Sequence, residues 1–209
     1  MNIYYIDEHI VVCEKPFGVS SQKNGGENMV DILCEKTGGE IYPVHRLDVQ
    51  TTGLMVYART EKISGELCGQ IANREMEKEY LCLCHGTLED WGEMEDLLFH
   101  DRVKNKTFVA DKKRHGVKEA RLIYEVISKK TLGTCELNLV RVKLLTGRTH
   151  QIRVQFASRG CPVYGDGKYG AKDNDRIHLH SCRLAFDHPV SGERHEYFSV
   201  PEWAEGDVD

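Results

Sequence analysis

The sequence predicts a strand-rich α+β fold, on three observations. Short alternating or apolar runs typical of strands outnumber the helical patterns. Long strand patterns at 120–128 and 135–145 flank a Thr-Leu-Gly turn, and a hairpin pattern joins 176–186 to 194–200. Helical patterns do not alternate regularly with strand patterns, as a βαβ fold would require. No linker or repeat interrupts the chain, so we expect a single domain over residues 1–209.

The N-terminal part contains strand patterns at 3–6, 10–14 and 54–58. Asn28 and Thr60 each precede a helical pattern. The side-chain oxygens of Asn and Thr accept hydrogen bonds from the free N–H groups of a first helical turn. We therefore expect these residues to be the N-caps of two helices.

The C-terminal part begins with an alternating pattern at 78–85, which predicts a strand. Residues 86–118 are polar and without clear periodicity, which predicts an irregular segment. Further on, Thr149 is a suitable N-cap for a helix that continues through Ser158.

Composition is that of a soluble globular protein, with 40% hydrophobic and 29% charged residues. No apolar run approaches the roughly 20 residues of a membrane span. The N-terminus lacks the basic start and apolar stretch of a signal peptide, so we expect a cytoplasmic protein without a membrane partner. The eight cysteines are scattered, which favours free buried thiols over disulfides.

Charge is unevenly distributed along the chain. The net charge of −5 argues mildly against a nucleic-acid partner. However, residues 61–96 carry ten acids against three Lys/Arg, and 187–209 carry seven against one. Residues 102–121 carry eight Lys/Arg against two acids, and 141–183 carry nine against three. This segregation is compatible with a basic strip that binds a polyanion, or with mutual neutralisation in the folded chain.

Asp48 is the most informative residue of the chain. It lies two residues after His45-Arg46 and shortly before a Thr-Thr-Gly turn and the apolar strand pattern at 54–58. A carboxylate held near a buried element requires a cation to remain charged. Arg46 is the local cation, although an ordinary salt-bridged Asp in a turn would show the same pattern.

A second polar block lies at 144–154. Gly147 interrupts a strand pattern, and Thr149 can begin a helix. Arg148 and Arg153 would then lie near the first turns of that helix, where backbone N–H groups also favour anions. The block is suited to bind phosphate or carboxylate, or it is an ordinary strand-to-helix turn with solvated arginines.

These two blocks resemble the hallmarks of the RluA family of RNA pseudouridine synthases. His-Arg-Leu-Asp at 45–48, followed by Thr-Thr-Gly-Leu at 51–54, is similar to the family's catalytic signature. Thr-Gly-Arg-Thr-His-Gln-Ile-Arg at 146–153 is similar to its second hallmark. Lys-Glu-Tyr at 78–80 resembles the family's Lys-x-Tyr motif, and 160–170 resembles a turn-rich family loop to which we assign a structural role.

The resemblance implies roles for eight residues. Asp48 would be the essential catalytic carboxylate, Arg153 its ion-pair partner, and Tyr80 the tyrosine that stacks on the target base. Arg46 would hold the site of the flipped nucleotide. The residues expected to bind substrate are His45, Arg46, Arg148, His150 and Gln151.

The resemblance also implies a fold, an activity and a partner. The expected fold is the pseudouridine synthase fold, a mixed, mainly antiparallel central sheet flanked by helices and loops, with an RNA-binding cleft. The expected reaction converts uridine in ribosomal or transfer RNA to pseudouridine, without cofactor or metal, in a monomer that consists of the catalytic core alone. The chain departs from the family at Thr52, Arg59 and Gln155, none of which supplies the proposed acid, base or cation.

Two other functions remain open at this stage. One is an RNA-binding protein that has this fold without catalysis, although intact Asp48, Tyr80 and Arg153 argue against it. The other is a metal-dependent hydrolase, whose ligands would come from alternating His and Cys residues. These candidate ligands are Cys82, Cys84, His178, His180 and Cys182.

Overall fold

A computed structural model of the chain describes residues 1–208, and Asp209, the last residue of the expected domain, lies outside the described residues. The strands, numbered in chain order, are β1 Ile3–Ile6, β2 Ile10–Lys15, β3 Tyr42–Pro43, β4 Thr52–Ala58, β5 Glu77–Cys84, β6 Trp91–Asp101, β7 Lys106–Val109, β8 Val117–Leu132, β9 Cys135–Leu144, β10 Leu179–Asp187 and β11 Arg194–Phe198. The α-helices are α1 Met29–Thr37, α2 Glu61–Ala72 and α3 Gln151–Ser158, and short 3₁₀ helices occupy Gly167–Tyr169 and Glu202–Ala204. In this described part of the chain, no helix has the length and apolar character needed to cross a membrane.

The chain divides into two compact units. The first contains Met1–Lys78 and His180–Val200, and the second contains Glu79–Leu179 and the C-terminal residues from Pro201 onward. In the first unit, the strand order is β1-β2-β4-β10, with β3 paired to β4 and β11 paired to β10. In the second unit, the order is β5-β9-β8-β6-β7. The strand-rich α+β class and its mixed, mainly antiparallel pairing are thereby confirmed.

Both predicted N-caps of the first unit are present. The Asn28 side chain accepts a hydrogen bond from Asp31 N at 3.0 Å, and Thr60 Oγ1 accepts one from Ile63 N at 3.2 Å. The helix that Thr60 caps buries Ile63 and Leu67 in an apolar core. That core is completed by residues of β2, β4 and β10, including Ile10, Val12, Leu54, Val56, Leu184 and Phe186.

The prediction of an irregular segment at 86–118 is wrong. Most of it forms the strands β6 and β7 and the beginning of β8. The backbone of β6 pairs with β8 from Trp91↔Glu125 to Phe99↔Val117. Because few of the β6 side chains are buried, the strand lacks the apolar alternation by which a half-buried strand is recognised.

Gly53 is a close-packing point of the first unit. The predicted Thr-Thr-Gly turn is not a turn, because Thr52 and Gly53 begin β4 and pair in parallel with His180 and Ser181. Gly53 has φ of 112°, and a Cβ atom at this position would lie 2.4 Å from Ser181 O and 2.5 Å from Ser181 N. Only glycine combines this backbone conformation with so close an approach.

We therefore expect Gly53→Ala to destabilise the chain by about 3 kcal/mol or more, because strain and a backbone clash add. Gly65→Ala is the matched control. Gly65 lies in α2 with open space around its Cα, so the alanine should stabilise by about 0.5–1 kcal/mol. Urea denaturation of both variants measures the two changes, and equal stability of Gly53→Ala and the wild type would contradict the packing described.

Candidate active site

The eight predicted site residues fall into two groups, one in each unit. The loop between β3 and β4 carries the first group, and β5 and the β9–α3 corner carry the second. The first group is His45, Arg46 and Asp48, and the second is Tyr80, Arg148, His150, Gln151 and Arg153.

The backbone on both sides of Asp48 is fixed by hydrogen bonds from the segment 15–21. Ser21 Oγ donates to Leu47 O at 2.8 Å and accepts from Leu47 N at 3.0 Å. Gly18 N donates to Val49 O at 2.9 Å. Thr51 N then donates to Asp48 O at 2.9 Å, which closes a turn. The half-buried Asp48 side chain is thus attached to a backbone with little freedom to move.

Lys15 is a buried cation beneath this loop. Its Nζ donates to Pro16 O and Val19 O at 2.8 Å and to Val49 O at 3.1 Å, and the side chain is 0% exposed. Burial lowers the pKa of Lys15 to about 8, and the negative charge of Asp48 opposes this shift. Lys15 is thus a cation near Asp48 that the sequence motifs did not predict, since they predicted Arg46 and Arg153.

His45 has a structural contact within its own unit. Its Nε2 accepts a hydrogen bond from Val56 N at 3.2 Å, which ties the loop to β4. Burial, together with the positive charge of Lys78, keeps the pKa of His45 well below its usual range, so the ring is neutral. Arg46, in contrast, is exposed. Contact of either residue with substrate stays a prediction.

In the second unit, Arg153 forms a buried bidentate ion pair with Asp166. Arg153 Nε lies 2.7 Å from Asp166 Oδ2, and Nη2 lies 2.7 Å from Oδ1. The two side chains are 3% and 1% exposed, and the guanidinium carbon lies 5.2 Å from the centre of the Tyr169 ring. Such two-point contacts fix the orientation of a guanidinium and strengthen the ion pair.

Asp166 was not among the predicted site residues, although it lies in the turn-rich block at 160–170. Its neighbour Gly165 explains why that block is rich in glycine: a Cβ at Gly165 would lie 2.1 Å from Arg176 O. The tight loop brings Asp166 to the first turns of α3, where Arg153 lies. The pairing of Arg153 with Asp48 that the resemblance implies stays a prediction.

The start of α3 differs from the prediction. Its N-cap is His150 in a left-handed conformation with φ of 55°, and not Thr149. Thr149 O instead accepts a hydrogen bond from Thr107 Oγ1 at 2.8 Å, and His150 Nδ1 lies 2.9 Å from Tyr169 OH. Contacts distant in sequence thus determine where this helix begins.

Gln151 holds the corner between β9 and α3 together. Its Oε1 accepts hydrogen bonds from Thr146 Oγ1 at 2.8 Å and Arg148 N at 3.0 Å, while its Nε2 donates to Arg121 O at 3.0 Å. The side chain is 3% exposed. These contacts give Gln151 a structural task, and its contact with substrate stays a prediction.

Tyr80 lies on β5 opposite Val142 of β9, and only 6% of its surface is exposed. Its strand neighbours two and four residues on are Cys82 and Cys84, whose Sγ atoms lie 3.5 Å apart. Burial raises the pKa of the Cys84 thiol well above its usual range, which favours the protonated, unreactive form.

The metal-site hypothesis finds no support in the positions of its residues. Between Met1 and residue 208, no group of three or more His, Cys, Asp or Glu side chains is placed to hold a metal ion. His180 has other neighbours: its Nδ1 lies 2.7 Å from Thr52 Oγ1 and its Nε2 lies 3.0 Å from Ser199 Oγ. Burial lowers the pKa of His180 to about 4.

Asp166→Ala should lower the free energy of unfolding by about 3–5 kcal/mol, because it removes one partner of a buried ion pair. Asp111→Ala, at an exposed position, is the control and should change it by less than about 0.5 kcal/mol. Urea denaturation measures both. A loss below about 1 kcal/mol for Asp166→Ala would show that Arg153 does not depend on this carboxylate.

Lys15→Met should reveal the lowered pKa of Lys15 in the pH dependence of stability. The unfolded chain, with a lysine pKa near 10.4, binds more protons than the folded chain between about pH 8 and pH 10.4. Across this window, the free energy of unfolding of the wild type should therefore rise relative to Lys15→Met by about 1 kcal/mol per pH unit. Below about pH 7, where Lys15 is protonated in both the folded and the unfolded chain, the difference should be constant.

The exposed Lys36→Met serves as the control for this titration, and its difference from the wild type should stay constant throughout. Chemical denaturation at a series of pH values measures all three curves. A constant difference for Lys15→Met would mean that the buried ammonium titrates as it does in water.

Comparison with known proteins agrees with the sequence motifs. The sequence model of the RNA pseudouridylate synthase family matches residues 9–158, which include Asp48, Tyr80 and Arg153. An uncharacterised RNA pseudouridine synthase of Aquifex aeolicus is 36% identical over 92% of this chain and 67% of its own. The dual-specificity RNA pseudouridine synthase RluA of Pasteurella multocida is 32% identical over 96% of this chain and 93% of its own.

Solved structures show the same fold. Human RNA pseudouridylate synthase domain-containing protein 1 superposes with a TM-score of 0.82 at 23% identity, over 95% of this chain and 82% of that one. The predicted pseudouridine synthase fold is thus confirmed. The family's sequence model also matches most of the length of this chain. The chain therefore belongs to the family of RNA pseudouridine synthases, enzymes of the isomerase class.

Proposed function

We propose that the chain converts uridine in ribosomal or transfer RNA to pseudouridine, with Asp48 as the essential catalytic residue. The observation that carries this assignment to Asp48 is the fixed backbone around it. Leu47 and Val49 are both held by hydrogen bonds from the segment 15–21, and the Lys15 ammonium lies beneath the loop. A carboxylate held in this way is preorganised for attack on a sugar or stabilisation of positive charge.

The reaction breaks the N-glycosidic bond, turns the uracil and joins its C5 to the ribose. Asp48 either attacks the ribose covalently or assists formation of a glycal, and both routes require an ionised carboxylate. Arg153 is proposed to pair with Asp48 and keep it charged and oriented. The bidentate contact from Asp166 supports this role, since it presents Arg153 as an oriented, buried cation. The proposal requires both compact units to act as a single catalytic domain.

The remaining residues are proposed to bind the RNA. A uridine must leave its stack before its glycosidic bond can be reached, which costs a few kcal/mol. The exposed Arg46 would occupy or hold the vacated position, and Tyr80 would stack on the extruded base. His45, Arg148, His150 and Gln151 would contact the nucleotide or its phosphates.

Relatives differ in the RNA that their names specify. A tRNA pseudouridine synthase C of Vibrio cholerae is 29% identical, and a ribosomal large subunit pseudouridine synthase D of Nitrosomonas europaea is 32% identical. We therefore propose ribosomal or transfer RNA as the substrate class. We further expect the chain to act as a cytoplasmic monomer without cofactor or metal, since the proposed chemistry requires neither.

Asp48→Asn tests the proposal. The variant keeps the size and shape of the side chain, but it replaces one acceptor oxygen by a donor NH2 group and removes the negative charge. We therefore expect pseudouridine formation to fall to background. The assay incubates purified protein with unmodified ribosomal and transfer RNA transcripts and measures conversion of uridine. Binding to the same transcripts should change by less than about threefold, or about 0.7 kcal/mol.

The matched control is Asp90→Asn, which makes the same change at an exposed position of the second unit and should retain wild-type activity. Conversion by Asp48→Asn at the wild-type rate would refute the role of Asp48. Binding of RNA without conversion by the wild type would instead favour an inactive RNA-binding protein.

A further inference from the structure

A basic groove on the second unit is not explained by the motifs of the family. It has a volume of about 330 Å³ and lies where β6, β8 and the corner after β9 meet. We call it the Lys118 groove, and its lining residues are Leu97, Lys113, Val117, Lys118, Glu119 and Arg148. All except Arg148 come from the 86–118 stretch and the residue after it, outside the motif blocks that define the resemblance.

The groove carries three cations and one acid. The acid, Glu119, is already neutralised, because Lys113 Nζ forms an ion pair with its Oε1. Lys113, and to a lesser extent Arg121 and Arg148, keep the pKa of Glu119 below its usual range. The remaining positive charge belongs to Lys118 and Arg148, and it lies in a concave surface that concentrates its potential.

Arg148 is held in place without using its terminal nitrogens. Its backbone N donates to Gln151 Oε1 at 3.0 Å, and its Nε donates to Glu119 O at 2.9 Å. Within residues 1–208, neither the two Nη atoms of Arg148 nor Lys118 Nζ makes a hydrogen bond or ion pair. A guanidinium fixed at one edge and open at the other is preorganised to bind an anion.

We propose that the Lys118 groove binds a phosphodiester of the RNA substrate through Lys118 and Arg148. This inference rests on the proposed function and adds a contact to it. A phosphate oxygen pair matches the open edge of the Arg148 guanidinium, and Lys118 supplies a second, mobile charge. Contacts of this kind set the register of a protein on RNA without reading its sequence.

The test measures RNA binding in the Asp48→Asn background, so that its outcome does not depend on catalysis. The probe is a pool of unmodified transfer RNA transcripts, titrated at several KCl concentrations. Lys118→Gln removes one phosphate contact and should reduce the slope of log K against log[KCl] by about 0.7–0.9. At low salt, its affinity should fall roughly three- to tenfold.

Lys129→Gln is the matched control. Lys129 is an exposed lysine of the same strand, β8, and it does not line the groove, so its slope should change by less than about 0.3. Glu119→Gln should change RNA affinity in the opposite direction to Lys118→Gln. It removes the one acid of the groove but leaves the carbonyl oxygen that holds Arg148, and RNA binding should tighten roughly threefold.

Equal slopes for Lys118→Gln and Lys129→Gln would overturn the proposal, as would weaker binding by Glu119→Gln. Titration with poly-glutamate separates an acidic protein partner from RNA. If Lys118→Gln weakened binding of poly-glutamate while RNA binding matched that of Lys129→Gln, the groove would not be an RNA site. If Asp48→Asn abolished conversion while Lys118→Gln and Glu119→Gln left RNA binding unchanged, the result would support the proposed function and reject only this inference.

Discussion

The proposed active site depends on the buried ammonium group of Lys15, which holds the backbone of the loop that carries Asp48. Lys15 lies at the end of a strand in the core, and its Nζ donates to three carbonyl oxygens, one of which belongs to the residue after Asp48. Burial of an ammonium group is costly unless its hydrogen bonds are satisfied and an anion lies near. Here three carbonyl oxygens and the negative charge of Asp48 offset part of this cost, all within one unit. Lys15 is the last residue of β2, which pairs with β4.

In the second unit, the buried charged group is a cation, Arg153. Arg153 is almost completely buried, and the bidentate contact with Asp166 neutralises its charge and fixes the plane of its guanidinium. Asp166 follows Gly165, which lies so close to the backbone of Arg176 that no side chain would fit. Gly53 of the first unit lies similarly close to the backbone of Ser181. In both units, therefore, hydrogen bonds or an ion pair from neighbouring groups hold the charged residue of interest or its backbone.

Much of the fold could be predicted from local signals. Asn28 and Thr60 cap helices as expected, because capping depends on neighbouring residues alone. Thr149 was the wrong cap, because a hydrogen bond from Thr107, far away in sequence, engages its backbone. The strand β6 was missed because its partner β8, and not an apolar face, stabilises it.

The candidate site shows the same division between local and distant contacts. Asp48, Tyr80 and Arg153 could be selected from their motifs, but Lys15 and Asp166 could not. Lys15 resembles an ordinary residue before a turn, and its burial depends on the carbonyl oxygens of Val19 and Val49. The role of Asp166 depends on a loop that is brought to α3 only in the folded chain.

The central claim is that this chain forms pseudouridine in cellular RNA by means of Asp48. The most direct measurement maps pseudouridine across ribosomal and transfer RNA in cells that lack the gene, and in the same cells after its return in wild-type or Asp48→Asn form. The account predicts at least one site that disappears with the gene, returns with the wild type and stays absent with the variant. Return of that site with Asp48→Asn, or an unchanged map without the gene, would contradict it.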